Sequence, residues 1–418
     1  MNPLPIEIAG AILFAIALLH TFSTRIFEHL AHTRPAHAGI WHLLGEVEVV
    51  FGFWAMILII VMMIMNGKEA ATTYLDQQSF TEPLFVFAIM VIAGSRPILQ
   101  IAMLSVESIA RLMPWPDGKA FYFVTLSFVP LLGSFITEPA AMTLAGLILL
   151  HRYYSRNIST PVKYATLGVL FVNISIGGTM TSFAAPPVLM VAAKWEWDTT
   201  FMLMTFGWKA AIAVIINAFA VTLLFQRELS DIKGEDHANR ENVPGLVTAI
   251  HLGFLIGVVV FAHYPPVFMG LLLFFLGFAH AYERYQDRLI LREGLMVAFF
   301  LAGLVVLGGQ QKWWLQPALS GMDSTALFFG ATLLTAVTDN AALTYLGSLL
   351  ENTSGEFRYS LVAGAVTGGG LTVIANAPNP AGFSILKGSF QDQAIQPLGL
   401  LAAALPPTVV AILAFQLL

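Results

Sequence analysis

Cysteine is absent from the 418 residues, which excludes disulfides, thiolate metal sites and a thiol nucleophile. Charge is scarce as well: Asp, Glu, Lys and Arg together make up 11% of the chain, and no basic tract exists on which nucleic acid could dock. Sequence motifs of enzymes and ATPases are missing too. There is no His-Glu-x-x-His, no Gly-x-Ser-x-Gly and no phosphate-cradling glycine loop, so neither an intramembrane enzyme nor ATP-driven work finds support. Hydrophobic residues fill the space instead, at 57% with a mean hydropathy of +0.77, far from a soluble composition. These numbers describe an all-α polytopic protein of the lipid bilayer, one domain with length for about ten spans of roughly 20 residues. The first apolar stretch, Ile6 to Leu19, lacks a basic segment before it and a small-residue cleavage site after it, and reads as a retained helix rather than a signal peptide.

Within this apolar background one phrase occurs twice. Thr137-Glu138-Pro139-Ala140-Ala141-Met142-Thr143 is matched by Thr338-Asp339-Asn340-Ala341-Ala342-Leu343-Thr344. Each copy sets a carboxylate beside small and hydroxyl residues at membrane depth, where ionisable groups are costly and mark transport routes. Apolar segments run over 5–28, 43–65, 83–110, 121–151, 163–193, 199–225, 246–263, 266–283, 290–309, 322–350, 358–386 and 396–418. The 121–151 and 322–350 segments are interrupted by the repeated phrase, and both read as re-entrant hairpins, since broken backbone at membrane depth is tolerated only where protein or water satisfies it.

Ten true spans with the N-terminus outside then place fourteen loop cations inside, from Arg25 and Arg34 through Lys233, Arg240 and Arg292 to Lys387, against Lys68, Lys194, Lys312 and Arg358 outside. Counting either hairpin as a full span destroys this positive-inside bias. The first hairpin thereby inserts from the cytoplasm and the second from outside, as an inverted repeat requires. A second pair of segments extends the repeat. Gly177-Gly178 with Pro186-Pro187 aligns without gaps to Gly369-Gly370 with Pro378-Asn379-Pro380. Glycine and proline pairs bracketing Thr179, Thr181 and Ser182 in one copy, and Thr372 and Asn376 in the other, describe unwound helices that expose oxygens to a cation. The chain divides into N-terminal scaffold helices (1–82), repeat I (83–226), a cytoplasmic loop with scaffold helices (227–283) and repeat II (284–418). The scaffold carries Gly253-xxx-Gly257, which reads as a helix-packing surface.

At these residues the chain resembles the ion transporter superfamily, in particular its sodium/proton antiporter family, over about 83–226 and 284–418. Divalent-anion/sodium symporters and arsenite transporters are related. The resemblance implies two inverted repeats, each with a re-entrant hairpin and a discontinuous helix, assembled as a homodimer in the cell (inner) membrane. It puts the hairpin tips at Thr137, Glu138, Pro139 and Thr338, Asp339, Asn340, and the unwound segments at Gly177 to Pro187 and Gly368 to Pro380. The symporters carry neutral Ser-Asn-Thr at both tips. Acidic tips here would repel an anion, which disfavours sodium-coupled uptake of a small anion.

Chemically, an unpartnered carboxylate in a low-dielectric medium favours its protonated form, whereas a nearby sodium or lithium ion favours the charged form. Proton and cation therefore compete for the oxygens of Glu138 and Asp339, which is antiport of Na+ against H+ without a cofactor. The bland alternative is that each acid caps a hairpin helix. Thr137, Thr179, Thr181, Ser182, Thr338, Asn340, Thr372, Asn376 and Asn379 offer neutral oxygens, although any single hydroxyl of this kind is commonly back-bonded to its own helix. Arg96 and Lys209 lie deep enough in apolar segments to need partners, for which Glu46, Glu48, Glu107, Glu138 and Asp339 are candidates. His20, His29, His32, His37 and His42 read as interfacial residues of a cytoplasmic loop rather than as a metal site.

The orientation is directly testable, because a chain without cysteine gives no labelling background. Single cysteines at positions 117 and 355 are expected to react from the cytoplasm and from outside respectively; reaction of both from one side would remove the opposed hairpins.

Overall fold

A computed structural model describes residues 3–156, 158–230, 232, 242–319, 321–390 and 395–418. Lys233 and Arg240 of the expected cytoplasmic loop lie outside these residues, as do the side chains of Arg25, Glu28, His32 and Glu48. Every regular element among the described residues is helical. In chain order the principal helices are α1 (Pro5–Thr33), α2 (Val47–Asn66), α3 (Thr81–Ala93), α4 (Arg96–Leu112), α5 (Asp117–Ile136), α6 (Glu138–Leu149), α7 (Thr160–Gly177), α8 (Pro186–Trp195), α9 (Thr199–Leu224), α10 (Gly245–Val260), α11 (Pro265–Ala281), α12 (Leu291–Gly308), α13 (Ser324–Thr335), α14 (Asn340–Ser348), α15 (Gly355–Gly368), α16 (Asn379–Leu386) and α17 (Pro397–Leu417). Six of them are long and apolar enough to cross a membrane, and the bent pair α3–α4 makes a seventh candidate. The protein is thus an all-helical chain compatible with a multi-pass membrane protein.

Several segments that read as single spans are divided. The 83–110 segment bends by 66° between α3 and α4, where Gly94 ends one helix and Pro97 starts the next, its missing N–H being harmless in a first turn. Beyond the bend, α4 is amphipathic: Ile98, Ala102, Val106 and Ala110 are buried while Gln100, Glu107 and Arg111 recur on another face at helical spacing. The two repeated segments divide as well, though unequally. The first, α5–α6, begins with a 20-residue helix; the second, α13–α14, begins with one of 12 residues.

Two packing regions meet around α7, the most enclosed of the long helices, with 83% of its apolar window buried against 39% for α2. In one region α2 and α3 pack on α12, and α10 and α11 close over α3. In the other, α5 packs on α6 and α7, α13 on α15, and α17 on α7. The short arms cross between the repeated segments: α6 lies against α16, and α8 against α14.

Asn173 explains part of the tightness at α7. Pro130 lies inside α5 and cannot donate to the carbonyl four residues earlier. Asn173 Nδ2 takes that place, donating to the Leu126 carbonyl at 2.8 Å, while its Oδ1 accepts from Asn217 Nδ2 at 2.9 Å, which in turn reaches the Pro407 carbonyl at 3.2 Å. This buried amide pair joins α5, α7, α9 and α17.

The expected packing surface at Gly253-xxx-Gly257 is met at one glycine: Gly253 faces open space, whereas a Cβ on Gly257 would crowd a Leu271 methyl of α11 at 3.1 Å. Spacing alone could not show which glycines face a neighbour. Close backbone approach occurs at Gly303, where a Cβ would run into the Gly52 and Phe51 backbone of α2. Gly303→Val is therefore expected to lower the thermal unfolding midpoint in detergent by the equivalent of about 1–3 kcal/mol or more, and Gly253→Val to change it by less than about 0.5 kcal/mol; equal effects would show that the α2–α12 contact is not set by backbone proximity.

Candidate functional site: two helix tips facing two helix breaks

The break after α7 falls at the glycine and proline pairs, with a 3₁₀ turn at Gly178–Met180 and extended backbone before Pro186. A similar break after α15 carries a 3₁₀ turn at Val373–Ala375 before α16 begins at Asn379. The freed backbone groups are taken up locally. Ser134 Oγ, one residue beyond Gly133 in α5, donates to the Gly177 carbonyl at 2.7 Å and accepts from Met180 N at 3.0 Å, and Thr181 Oγ1 donates to the Ser134 carbonyl at 2.6 Å. In the other break Thr372 Oγ1 donates to the Ala336 carbonyl at 2.8 Å, and Asn379 Nδ2 reaches the Gly369 and Thr372 carbonyls at 2.7 and 2.9 Å. Thr179 bonds back to the Ile176 carbonyl within its own turn.

Each break faces a hairpin tip. Thr137, at the α5–α6 junction, has φ of +72°, a conformation that a β-branched residue adopts only under tertiary constraint. Its turn sends Glu138 inward, where the side chain is fully buried. Glu138 Oε2 accepts from Asn376 Nδ2 at 2.8 Å, joining the first hairpin to the second break. Glu138 Oε1 has no hydrogen-bond partner, and a Cβ on Gly178 would collide with it. Pro139 and Thr137 wall a small cavity with Phe183, Ala184 and Pro186.

Asp339 is placed differently. Half-buried, it caps α14, its Oδ1 accepting from Ala341 N at 2.8 Å and Ala342 N at 3.2 Å. The next residue, Asn340, is the buried one; its Nδ2 lies 3.5 Å from Ser175 Oγ, and a Cβ on Gly369 would meet that Nδ2 at 2.8 Å. Gly370 abuts Val172 of α7.

The site therefore gathers Glu138, Gly178 and Asn376 in one contact, and Asn340, Gly369, Asn379 and Ser175 in another. Buried oxygens without a hydrogen-bond partner concentrate here: Thr137 Oγ1, Glu138 Oε1, and the Oδ1 atoms of Asn340, Asn376 and Asn379. All can accept and none has a donor, which is the complement of a cation. Among the described residues no group of three or more His, Asp or Glu clusters as a metal site.

Other expected members lie elsewhere. Thr338 bonds back to the Leu334 carbonyl, and Ser182 lies part-exposed, 3.3 Å from Thr199. Lys209 pairs with a tyrosine among the described residues: its Nζ donates to the Tyr359 hydroxyl at 2.9 Å and sits 4.6 Å from the ring centre, because a stem this long reaches an aromatic hydroxyl on α15. Glu46 pairs with Arg292 at 2.9 Å, and Glu107 with Arg111 one turn on. Arg96 opens α4 at the 66° bend. His20 and His29 belong to α1 rather than to a loop, and His20 is held by Trp54 Nε1 and the Leu44 carbonyl.

Sequence reading missed Ser134, Ser175, Asn173 and Asn217. Buried amides and hydroxyls inside long apolar runs were the available signal.

The helices are compatible with a multi-pass membrane protein, and its buried centre is polar and acceptor-rich. Its family follows from comparison: a family model described as "Putative Na+/H+ antiporter" matches residues 5–418, nearly the whole chain, and the chain belongs to that family. Membership implies a transporter rather than an enzyme, with sodium and protons as the ions the family name gives. No curated protein matches the chain.

Gly178→Ala is expected to leave the fold intact while displacing Glu138 from Asn376, weakening sodium affinity roughly 10- to 100-fold; titration calorimetry with sodium showing unchanged affinity would mean that the glycine merely terminates a helix.

Proposed function

We propose that the protein exchanges sodium for protons across the cell membrane, at a site formed where the α5–α6 and α13–α14 hairpins meet the breaks after α7 and α15. The two hairpin-and-break units are inverted repeats; the crossed packing of α6 on α16 and of α8 on α14 supports this. The observation that carries the reading is Glu138: a fully buried carboxylate with one oxygen on Asn376 and the other without a partner. A bare charge in such a place costs several kcal/mol. Either a proton or a monovalent cation removes that cost, and both need the same oxygen. Each excludes the other, so carrying one across and returning with the other is exchange. Asn376 Oδ1 in the contact with Glu138, Thr137 Oγ1 beside it in the chain, and the Oδ1 atoms of Asn340 and Asn379 in the second contact supply neutral oxygens for a sodium or lithium ion, and Gly178 and Gly369 let the side chains approach the broken helices. Asp339 is outside this ligand set, as the cap that orients α14. The unit functions as a homodimer, each protomer carrying its own site.

The test is reconstitution. Sodium added outside liposomes holding a preset pH gradient should collapse that gradient in the wild type. Glu138→Gln should reduce the response to that of empty liposomes while inserting and folding normally. Ordinary exchange by the variant would end the role of Glu138.

A further inference from the structure

The gapless match of the two hairpin phrases pairs Glu138 with Asp339, but the backbone pairs it with the next residue. In the first hairpin Ala141 N donates to the Thr137 carbonyl at 3.0 Å and the helix starts at Glu138; in the second, Leu343 N donates to the Asp339 carbonyl at 3.2 Å and the helix starts at Asn340. The surroundings follow the backbone. Gly178 is the first residue beyond the end of α7 and makes room for Glu138, while Gly369, the first beyond the end of α15, makes room for Ser175 and, next to it, Asn340. Burial follows it too. Glu138 and Asn340 are both at 0% exposure, each with one side-chain oxygen lacking a partner, whereas Asp339 is half-buried with its Oδ1 held by two backbone N–H groups.

We infer that Asn340, not Asp339, is the functional counterpart of Glu138, so that the two half-sites differ in chemistry: one acidic, one neutral. This rests on the exchange reading above. A deletion-like slip of one residue between the hairpins puts an amide where the other half has a carboxylate. The amide oxygen of Asn340 can ligate a cation alongside Asn379 but cannot hold a proton in its place. Asp339 contributes through helix capping, a role that an amide fills about as well as a carboxylate.

The distinguishing experiment compares wild type, Asp339→Asn and Asn340→Ala in full-length protein. Two readouts are taken: sodium-driven collapse of a pH gradient in liposomes, and the rise in thermal unfolding midpoint that sodium causes in detergent, which does not depend on transport. Asp339→Asn should keep both within about twofold of wild type, since its side-chain oxygen still caps α14. Asn340→Ala should lose the sodium-dependent rise. Loss of both readouts in folded Asp339→Asn, or an unchanged sodium effect in Asn340→Ala, would overturn the inference while wild-type exchange still stood. If Asn340→Ala does not fold, Asp339→Asn decides alone. A wild type that shows neither readout would overturn the exchange reading and this inference with it.

Discussion

A backbone N–H or C=O released from a helix inside a bilayer has no water to bond to, and the rest of this structure is arranged around that constraint. Two helices, α7 and α15, are broken within the packed helices, and the partners for the broken ends come from the neighbouring hairpins. Ser134 on α5 bonds to both sides of the first break, and the Ala336 carbonyl, just past α13, receives Thr372 of the second. Even the Leu126 carbonyl that Pro130 leaves without a donor in α5 is completed from outside, by Asn173 of the broken helix α7. Hairpins and breaks therefore hold one another in shape. Neither is a plausible structure in lipid by itself.

The same constraint explains how the scarce charges are used. With 11% of residues charged, several sit in ordinary pairs, among them Arg292 with Glu46, Arg152 with Asp117, and Lys312 with Glu351. Lys209 is accommodated by a tyrosine. Glu138 is fully buried beside an amide instead of a cation. An arginine or lysine there would have neutralised it permanently, as it does for Glu46 and Asp117.

Architecture was legible in the sequence wherever it depended on composition or on Gly and Pro. Hydropathy marks the helical membrane class, and the positions of Gly177, Pro186, Gly368 and Asn379 mark where helices end and resume. The bend at Gly94-Ser95 was not legible, because Thr81–Leu112 is apolar enough on average to pass for one span while only its second part is amphipathic. Contacts were harder still. Sequence pairs Glu138 with Asp339 because letters align, but a helix may start one residue earlier or later at little cost, and that choice decides which side chain points inward. Partners of Lys209 were sought among acids because charge is visible in a sequence, whereas the reach of a lysine stem to Tyr359 depends on how α9 and α15 are placed. The role of Asn173 was hidden for the same reason: its need arises from Pro130, forty-three residues away on another helix.

The bond between Asn376 and Glu138 spans 238 residues of chain. At ordinary rates of translation, about 5–20 residues per second, the first hairpin exists for tens of seconds before the segment that will hold its carboxylate has been made. Since α6 closes on α16 and α14 on α8, the early half waits on the late one in more than one place. During that interval Glu138 lacks the amide that will hold it. The membrane core of this protein is thus assembled after its helices are threaded, and a chain released early would present a polar seam to lipid rather than a smaller working unit.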